Sequence, residues 1–256
     1  MPGHRLLVVA DAHVGGTPPE SEAALLAFLE AAPDLGDALL IAGDLFEFWF
    51  AYRQVIPRRA FPVASALART ARAMPVAMTG GNHDRWGVPF WIEDAGIRFA
   101  RRELLLDAGG RKVLALHGDG LTERPGRTAW THRIVGHPAT SAAFRLLHPD
   151  FGLRLVERLG PVLSSESNRT EEQKRLYSER QRAWAERRLL DDPSLAAVVM
   201  GHTHAAVVSE PAPGRRYVNP GAWFEGGLYA VITPEGAELR TFSPATPPPP
   251  PTGAPR

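Results

Sequence analysis

The sequence predicts an α/β protein in which two β-sheets pack as a sandwich with helices on the outside. Three observations carry this. Up to residue 116, short apolar runs alternate with stretches whose apolar residues recur at helical spacing. Residues 121–193 hold no convincing strand and read as helical. Beyond 196, short strands separated by Pro and Gly turns read as an antiparallel meander. Alternation first and hairpins last is the pattern of a mixed sandwich.

Taken in order, residues 5–10 (with Leu6, Leu7, Val8 and Val9) are apolar without alternation, which predicts a strand buried on both faces. Residues 21–32 place Ala24, Leu25, Phe28 and Leu29 on one helical stripe. Residues 38–42 are a second buried strand, and an aromatic cluster from Leu45 to Phe50 follows, read as core. A helix over 63–73 ends before Pro75, and a third strand covers 75–78. A helix near 89–95 and a strand at 111–116 complete this half. The 121–193 stretch sets Phe144, Leu147, Phe151 and Leu155 between Arg145, Arg154 and Arg158. Thr170 and Gln173 form a capping box that opens a long charged helix over 171–191. Strands at 196–200, 206–209, 216–218, 228–232 and 238–242 close the domain. A single domain is therefore expected over 1–243, with a helical insertion at about 121–193 and a disordered Pro-rich tail at 244–256.

Composition narrows the chemistry. With 29 basic and 28 acidic side chains the formal charge is +1, so no global field attracts nucleic acid. The chain has no cysteine, which excludes disulfides and leaves only oxygen and nitrogen ligands for a metal. Residues 1–10 are too short for a signal peptide, and no run approaches the roughly 20 apolar residues of a membrane span. The expected compartment is the cytoplasm. Between Arg124 and Arg188 stand 13 basic and 7 acidic side chains. That local excess, with the apolar residues beside it, suits a lid over an anionic and greasy ligand.

The chemical residues gather at five points, each just after an apolar run: Asp11-Ala12-His13, Gly43-Asp44, Thr79-Gly80-Gly81-Asn82-His83-Asp84, His117-Gly118-Asp119 and Gly201-His202-Thr203-His204. Five strand ends that each deliver Asp, Asn or His make one metal-rich edge. Two adjacent divalent cations need a bridging anion and several neutral donors. Asp44 is the natural bridge. Asp11, His13 and one histidine of the 202/204 pair suit one cation, while Asn82, His117 and the other histidine suit the second. Such donors favour Mn²⁺, Fe²⁺ or Zn²⁺. Asp84 is expected to orient His83, and Asp119 to orient His117 or cap its loop. His4, His132, His137 and His148 lack this context.

The ordered set Asp-x-His, Gly-Asp, Gly-Asn-His-Asp, His-Gly-Asp and Gly-His-Thr-His resembles the calcineurin-like metallophosphoesterase superfamily over residues 5 to about 232. The resemblance implies a four-layer αββα sandwich and a two-metal phosphoesterase. It implies that Asp11, His13, Asp44 and His204 bind one metal and that Asp44, Asn82, His117 and His202 bind the other. It also implies that His83, seconded by Asp84, is the catalytic histidine. Within the superfamily the chain is most similar to the UDP-2,3-diacylglucosamine hydrolases of lipid A synthesis. The residues that carry this are Gly43-Asp44-Leu45-Phe46-Glu47-Phe48-Trp49, the insertion after Asp119, the polar Ser164–Asn168 stretch and Gly221-Ala222-Trp223. The likeness implies a lipid-linked sugar nucleotide substrate and release of UMP. It further implies Mn²⁺ as the usual cofactor, contact with the cytoplasmic face of the inner membrane, and substrate contacts at Asn82, His83, Ser164, Asn168 and Arg169. The well-known branch of that family has Arg where this chain has His83.

Two rivals stay open. One is a phosphoesterase for a soluble nucleotide, phosphodiester or phosphoprotein, for which the insertion is mere cover. The other is a protein-binding scaffold that keeps the fold, although here every ligand position is filled. A nuclease fits worse, because the charge is balanced and no basic groove is visible.

Overall fold

A computed structural model describes residues 5–50, 52, 54–121, 138–163 and 170–244. The first sheet contains β1 (Leu6–Val9), β2 (Ala38–Ala42), β3 (Val76–Thr79), β4 (Arg98–Ala100), β10 (Leu228–Ile232) and β11 (Ala237–Thr241), in the order β11-β10-β1-β2-β3-β4. Its β1 to β4 run parallel, while β10 and β11 extend it antiparallel on the other side. The second sheet contains β5 (Glu103–Ala108), β6 (Arg111–Leu116), β7 (Leu195–Val199), β8 (Val207–Ala212) and β9 (Arg215–Asn219), in the order β5-β6-β7-β9-β8. There β6, β7 and β9 are parallel, with antiparallel β5 and β8 at the edges.

The period-two geometry of a strand sorts the apolar side chains into three cores. Leu6, Val8 and Leu40 from the first sheet meet Leu106, Val113, Ala197 and Val218 from the second. The alternate residues Leu7, Val9, Leu39, Ile41 and Met78 face Leu25, Phe28 and Leu29 of α1 (Pro19–Leu35) and Val63 and Leu67 of α2 (Phe61–Ala73). On the far side, Leu114, Leu116, Val198 and Tyr217 face Ala185 and Leu189 of α5 (Glu171–Asp191). The result is helix, sheet, sheet, helix. Strands covered on both faces read as unbroken apolar runs, which is why 5–10 and 38–42 were legible.

The insertion divides in two. The helix α5 carries the expected capping box and is the fourth layer of the sandwich rather than part of a cover. Elsewhere in the insertion, the described residues form two helices, α3 (Pro138–Arg145) and α4 (Pro149–Leu163). Of the expected tail, everything from 245 on lies outside the described residues. The helix near 89–95 is a single π-turn over Phe90–Asp94. The strands β4 and β5 escape the sequence reading because β4 is three residues long and 101–102 joins them without a Gly or Pro signal. Among the described residues, no helix is long and apolar enough to cross a membrane.

Leu189 is fully buried against the second sheet, whereas Leu190 beside it is exposed. Leu189→Ala should therefore cost about 2–5 kcal/mol in urea unfolding, the usual range for an emptied core site. Leu190→Ala should stay near the parent protein. Equal midpoints for the two would remove α5 from the core.

Candidate metal centre

All the parallel strands of the two sheets present their C-terminal ends at one edge, where ligands bind in open α/β sheets. There β1 leads to Asp11 and His13, β2 to Asp44, β3 to Asn82 and His83, β6 to His117, and β7 to His202 and His204. The turns are tight enough to be strained. Asp11, His13, Asp44, His202 and His204 have φ of 51°, 46°, 48°, 70° and 58°, and among the described residues no other non-glycine has a positive φ. Left-handed backbone at an L residue costs about 1–3 kcal/mol and persists where the surroundings over-determine it. Here every such residue is one the sequence marks as a ligand.

Two groups of donors result. Ligand atoms of Asp11, His13 and His204 lie within 4.8 Å of one another, and so do those of Asp44, His117 and His202. Asp11 Oδ1 is 3.6 Å from His204 Nε2 and 4.0 Å from His117 Nε2, so the two groups abut. Asp44 Oδ2 lies 3.0 Å from His117 Nε2. A third trio, His13, Glu47 and His83, flanks the first. Asn82 occupies the β3 turn next to Gly81. A Cβ on Gly81 would fall 2.0 Å from Asp44 Oδ1, so only glycine lets this turn close on the central carboxylate.

The imidazoles are aimed from behind. His13 Nδ1 donates to Glu47 Oε2 at 3.0 Å, His83 Nδ1 to the Glu47 carbonyl at 2.6 Å, and His117 Nδ1 to the Ala42 carbonyl at 2.9 Å. A carbonyl can only accept, so Nδ1 of His83 and His117 carries the proton, and Nε2 is left to face the site. His13 Nε2 is buried with no hydrogen-bond partner, and the buried His117 Nε2 and Asp44 Oδ2 have only each other, 3.0 Å apart. Buried polar atoms are rarely left so, and a cation would complete all three. The donor set therefore fits divalent metal.

The electrostatics agree. Burial disfavours ionisation of Asp44, yet His117, His83 and His13 outweigh it and hold the carboxyl well below its usual range. Burial pulls His117 down, but the charges of Asp44 and Asp11 raise it well above the ordinary histidine value. His13 is likewise raised, with Glu47 and Asp44 overriding its burial. The carboxylates thus favour positive charge at this edge.

Two expectations need correcting. Asp84 does not orient the His83 ring. Its oxygens accept from the Leu45 and Gly81 amides at 2.7 and 2.8 Å, so it pins the β3 turn to the β2 turn. Burial, with Asp44 alongside, pushes its carboxyl up to about 6 against the pull of those amides. Of the two roles expected of Asp119, the orienting of His117 falls to the Ala42 carbonyl instead, and Asp119 pairs through its Oδ2 with Arg85. Ser164, Asn168 and Arg169 lie outside the described residues.

Some residues of the site escaped the sequence reading. Glu47, inside an aromatic run, holds two histidines at once, and its charge among aromatics was the available signal. Gln181, buried on α5, donates to the Gly201 carbonyl at 2.9 Å, and Asn219 donates to the same oxygen at 3.1 Å. Phe224 edges the rings of His13 and His204 at 5.9 and 5.3 Å. Nothing local in the sequence marks these three.

Two sheets with a histidine- and aspartate-lined edge define a metallophosphoesterase. The family model for calcineurin-like phosphoesterases matches residues 4–206, and the chain belongs to that family. It is a metal-dependent phosphoester hydrolase. Among curated proteins it is similar to the UDP-2,3-diacylglucosamine hydrolase of Pectobacterium carotovorum, at 28% identity over 92% of this chain and 98% of that one. The enzyme of the same name from Shewanella piezotolerans is 25% identical over 92% and 97%. A solved phosphoesterase of E. coli, Yfce, aligns with 93% of this chain and 100% of its own at 16% identity and a TM-score of 0.43.

Gly81→Ala tests the close approach. The added methyl must displace Asp44 or the turn, so affinity for added divalent metal, measured by titration of the metal-stripped protein, should fall by at least about tenfold, the scale of a misplaced ligand. Unchanged affinity would show that this turn does not set the site.

Proposed function

We propose that the chain hydrolyses the pyrophosphate of UDP-2,3-diacylglucosamine to UMP and 2,3-diacylglucosamine 1-phosphate, using two divalent cations, with Mn²⁺ favoured over Fe²⁺ and Zn²⁺. One observation carries the substrate class. The α3–α4 segment, called the hairpin for its short 146–148 connection, meets through Phe144 the aromatic loop that continues directly from Asp44. Phe144 packs against Phe48, Phe50 and Tyr52 with ring centroids at 5.9, 4.6 and 6.2 Å. Leu146 and Phe151, by contrast, are 88% and 59% exposed. A soluble nucleotide needs no apolar surface there. Acyl chains do, since each buried methylene is worth about 0.8 kcal/mol. The names of the full-length relatives support the same substrate.

In this reading Asp11, His13, Asp44 and His204 hold one cation, and Asp44, Asn82, His117 and His202 hold the other. When bound, such a pair supplies an activated water and neutralises charge on the phosphoryl oxygens. His83 keeps its Nδ1 proton on the Glu47 carbonyl, so Nε2 is the atom that exchanges a proton with a phosphate or leaving-group oxygen. Asp84 acts by holding the turn from which His83 projects. Arg145, which lies 5.5 Å above the Phe50 ring, gives the hairpin positive charge together with Arg154 and Arg158. Asn82, His83, Ser164, Asn168 and Arg169 are the substrate contacts. The exposed apolar side chains of the hairpin meet the cytoplasmic face of the membrane from which the lipid comes.

The deciding assay gives the purified Mn²⁺-loaded protein UDP-2,3-diacylglucosamine and, separately, a small aromatic phosphodiester. Release of UMP is expected. Turnover of the diester alone would favour the soluble-substrate reading. His83→Ala should retain its metal and lose about 10²- to 10⁴-fold in kcat, the range for a lost general acid. Metal loss in step with activity would make His83 a ligand instead. Replacing Leu146 and Phe151 together by Ser should raise KM for the lipid about tenfold or more, given about 1.5–3 kcal/mol per buried apolar side chain. Diester hydrolysis should be unaffected, and equal losses on both substrates would mean that the hairpin is structural.

A further inference from the structure

The two candidate cation positions are braced differently across the gap between the sheets. On the Asp11 side, the His202 amide donates to both Asp11 oxygens at 2.9 and 3.1 Å, so backbone links the β1 turn directly to the β7 turn. On the Asn82 side, the donors come from the β3 turn of one sheet and the β6 turn of the other. Among the described residues, the Arg85 side chain reaches both turns directly. Arg85 Nε donates to the carbonyl of Gly81, the residue before Asn82, at 2.9 Å. The same guanidinium, through Nη2, pairs with Asp119, two residues beyond His117. Both side chains are about as sheltered as each other, 14% and 15% exposed, so the pair is screened little by water.

We propose that Arg85 and Asp119 form a clamp that sets the distance between Asn82 and His117 and so fixes the affinity of the second cation; this rests on the two-cation reading above. A guanidinium is a rigid planar fork, so its Nε and Nη2 contacts hold two loops at one spacing. A lysine offers the same charge without that span. Arg85 and Asp119 are positioning residues and touch neither cation nor substrate.

The sign of the effect separates geometry from charge. Removing a positive group near a cation site should, by relief of Coulomb repulsion alone, tighten cation binding. Loss of the clamp should weaken it. The test titrates the metal-stripped full-length protein with Mn²⁺ by calorimetry and follows the spin-coupled pair by electron paramagnetic resonance. In Arg85→Met the second Mn²⁺ should bind about tenfold more weakly, the usual cost of a lost outer partner, with the first essentially unchanged. Asp119→Asn should do the same, and the double variant should be no worse than either single one. Arg85→Lys, which keeps the charge and supplies a folded alternative if Arg85→Met is unstable, should also weaken the second event. A second event that is unchanged or tighter in Arg85→Met or unchanged in Arg85→Lys, or both events weakened together, overturns the clamp. Wild-type protein that takes only one Mn²⁺ overturns the two-cation reading and the clamp with it.

Discussion

Keeping Asp44 ionised at zero exposure, with the carboxyl of Asp11 buried beside it, is the constraint from which the architecture of the site follows. An uncompensated buried carboxylate costs several kcal/mol, so the fold must bring donors to it from many directions. The His202 amide turns toward Asp11, the His83 amide donates to Asp44 at 3.0 Å, and three imidazoles are aimed by acceptors behind them. The left-handed turns are the backbone's contribution. They bend the chain sharply enough to bring amides and side chains of separate strands onto the same two carboxylates.

Much of this was legible because parallel strands buried on both faces leave long apolar runs, and the residue at the end of each run stands out by contrast. Asp11, Asp44, His117 and His202 are each the first or second polar residue after such a run. What was not legible depends on meetings between distant elements. Gln181 looks like any polar residue of a charged helix until α5 is laid against β7. Asp84 is read as serving the histidine beside it, and Asp119 as serving His117 or its own loop, because sequence shows neighbours along the chain. Their partners, the Leu45 amide and the Arg85 side chain, stand 39 and 34 residues away.

The helical stretch shows the same limit. Its capping box and its length were readable, yet Ala185 and Leu189 belong to the sandwich while Phe144 belongs to a hairpin resting on aromatic residues. Composition treats these as one basic, apolar segment. Only the second sheet, by presenting Leu114, Leu116 and Tyr217 on its outer face, decides which helix becomes a layer. The hairpin gains its seat from Gly152, where a Cβ would come within 2.7 Å of the Tyr52 hydroxyl and 2.9 Å of Phe144.

The contact between His202 and Asp11 joins residues 191 positions apart. Long-range pairings of this kind form late, after the loop-closure entropy has been overcome by other contacts. A chain leaving the ribosome N-terminus first exposes Asp11 and His13 long before their β7 partners are synthesised. A chain cut short before β7 would therefore lack the amide that holds Asp11 and both histidines that complete this edge.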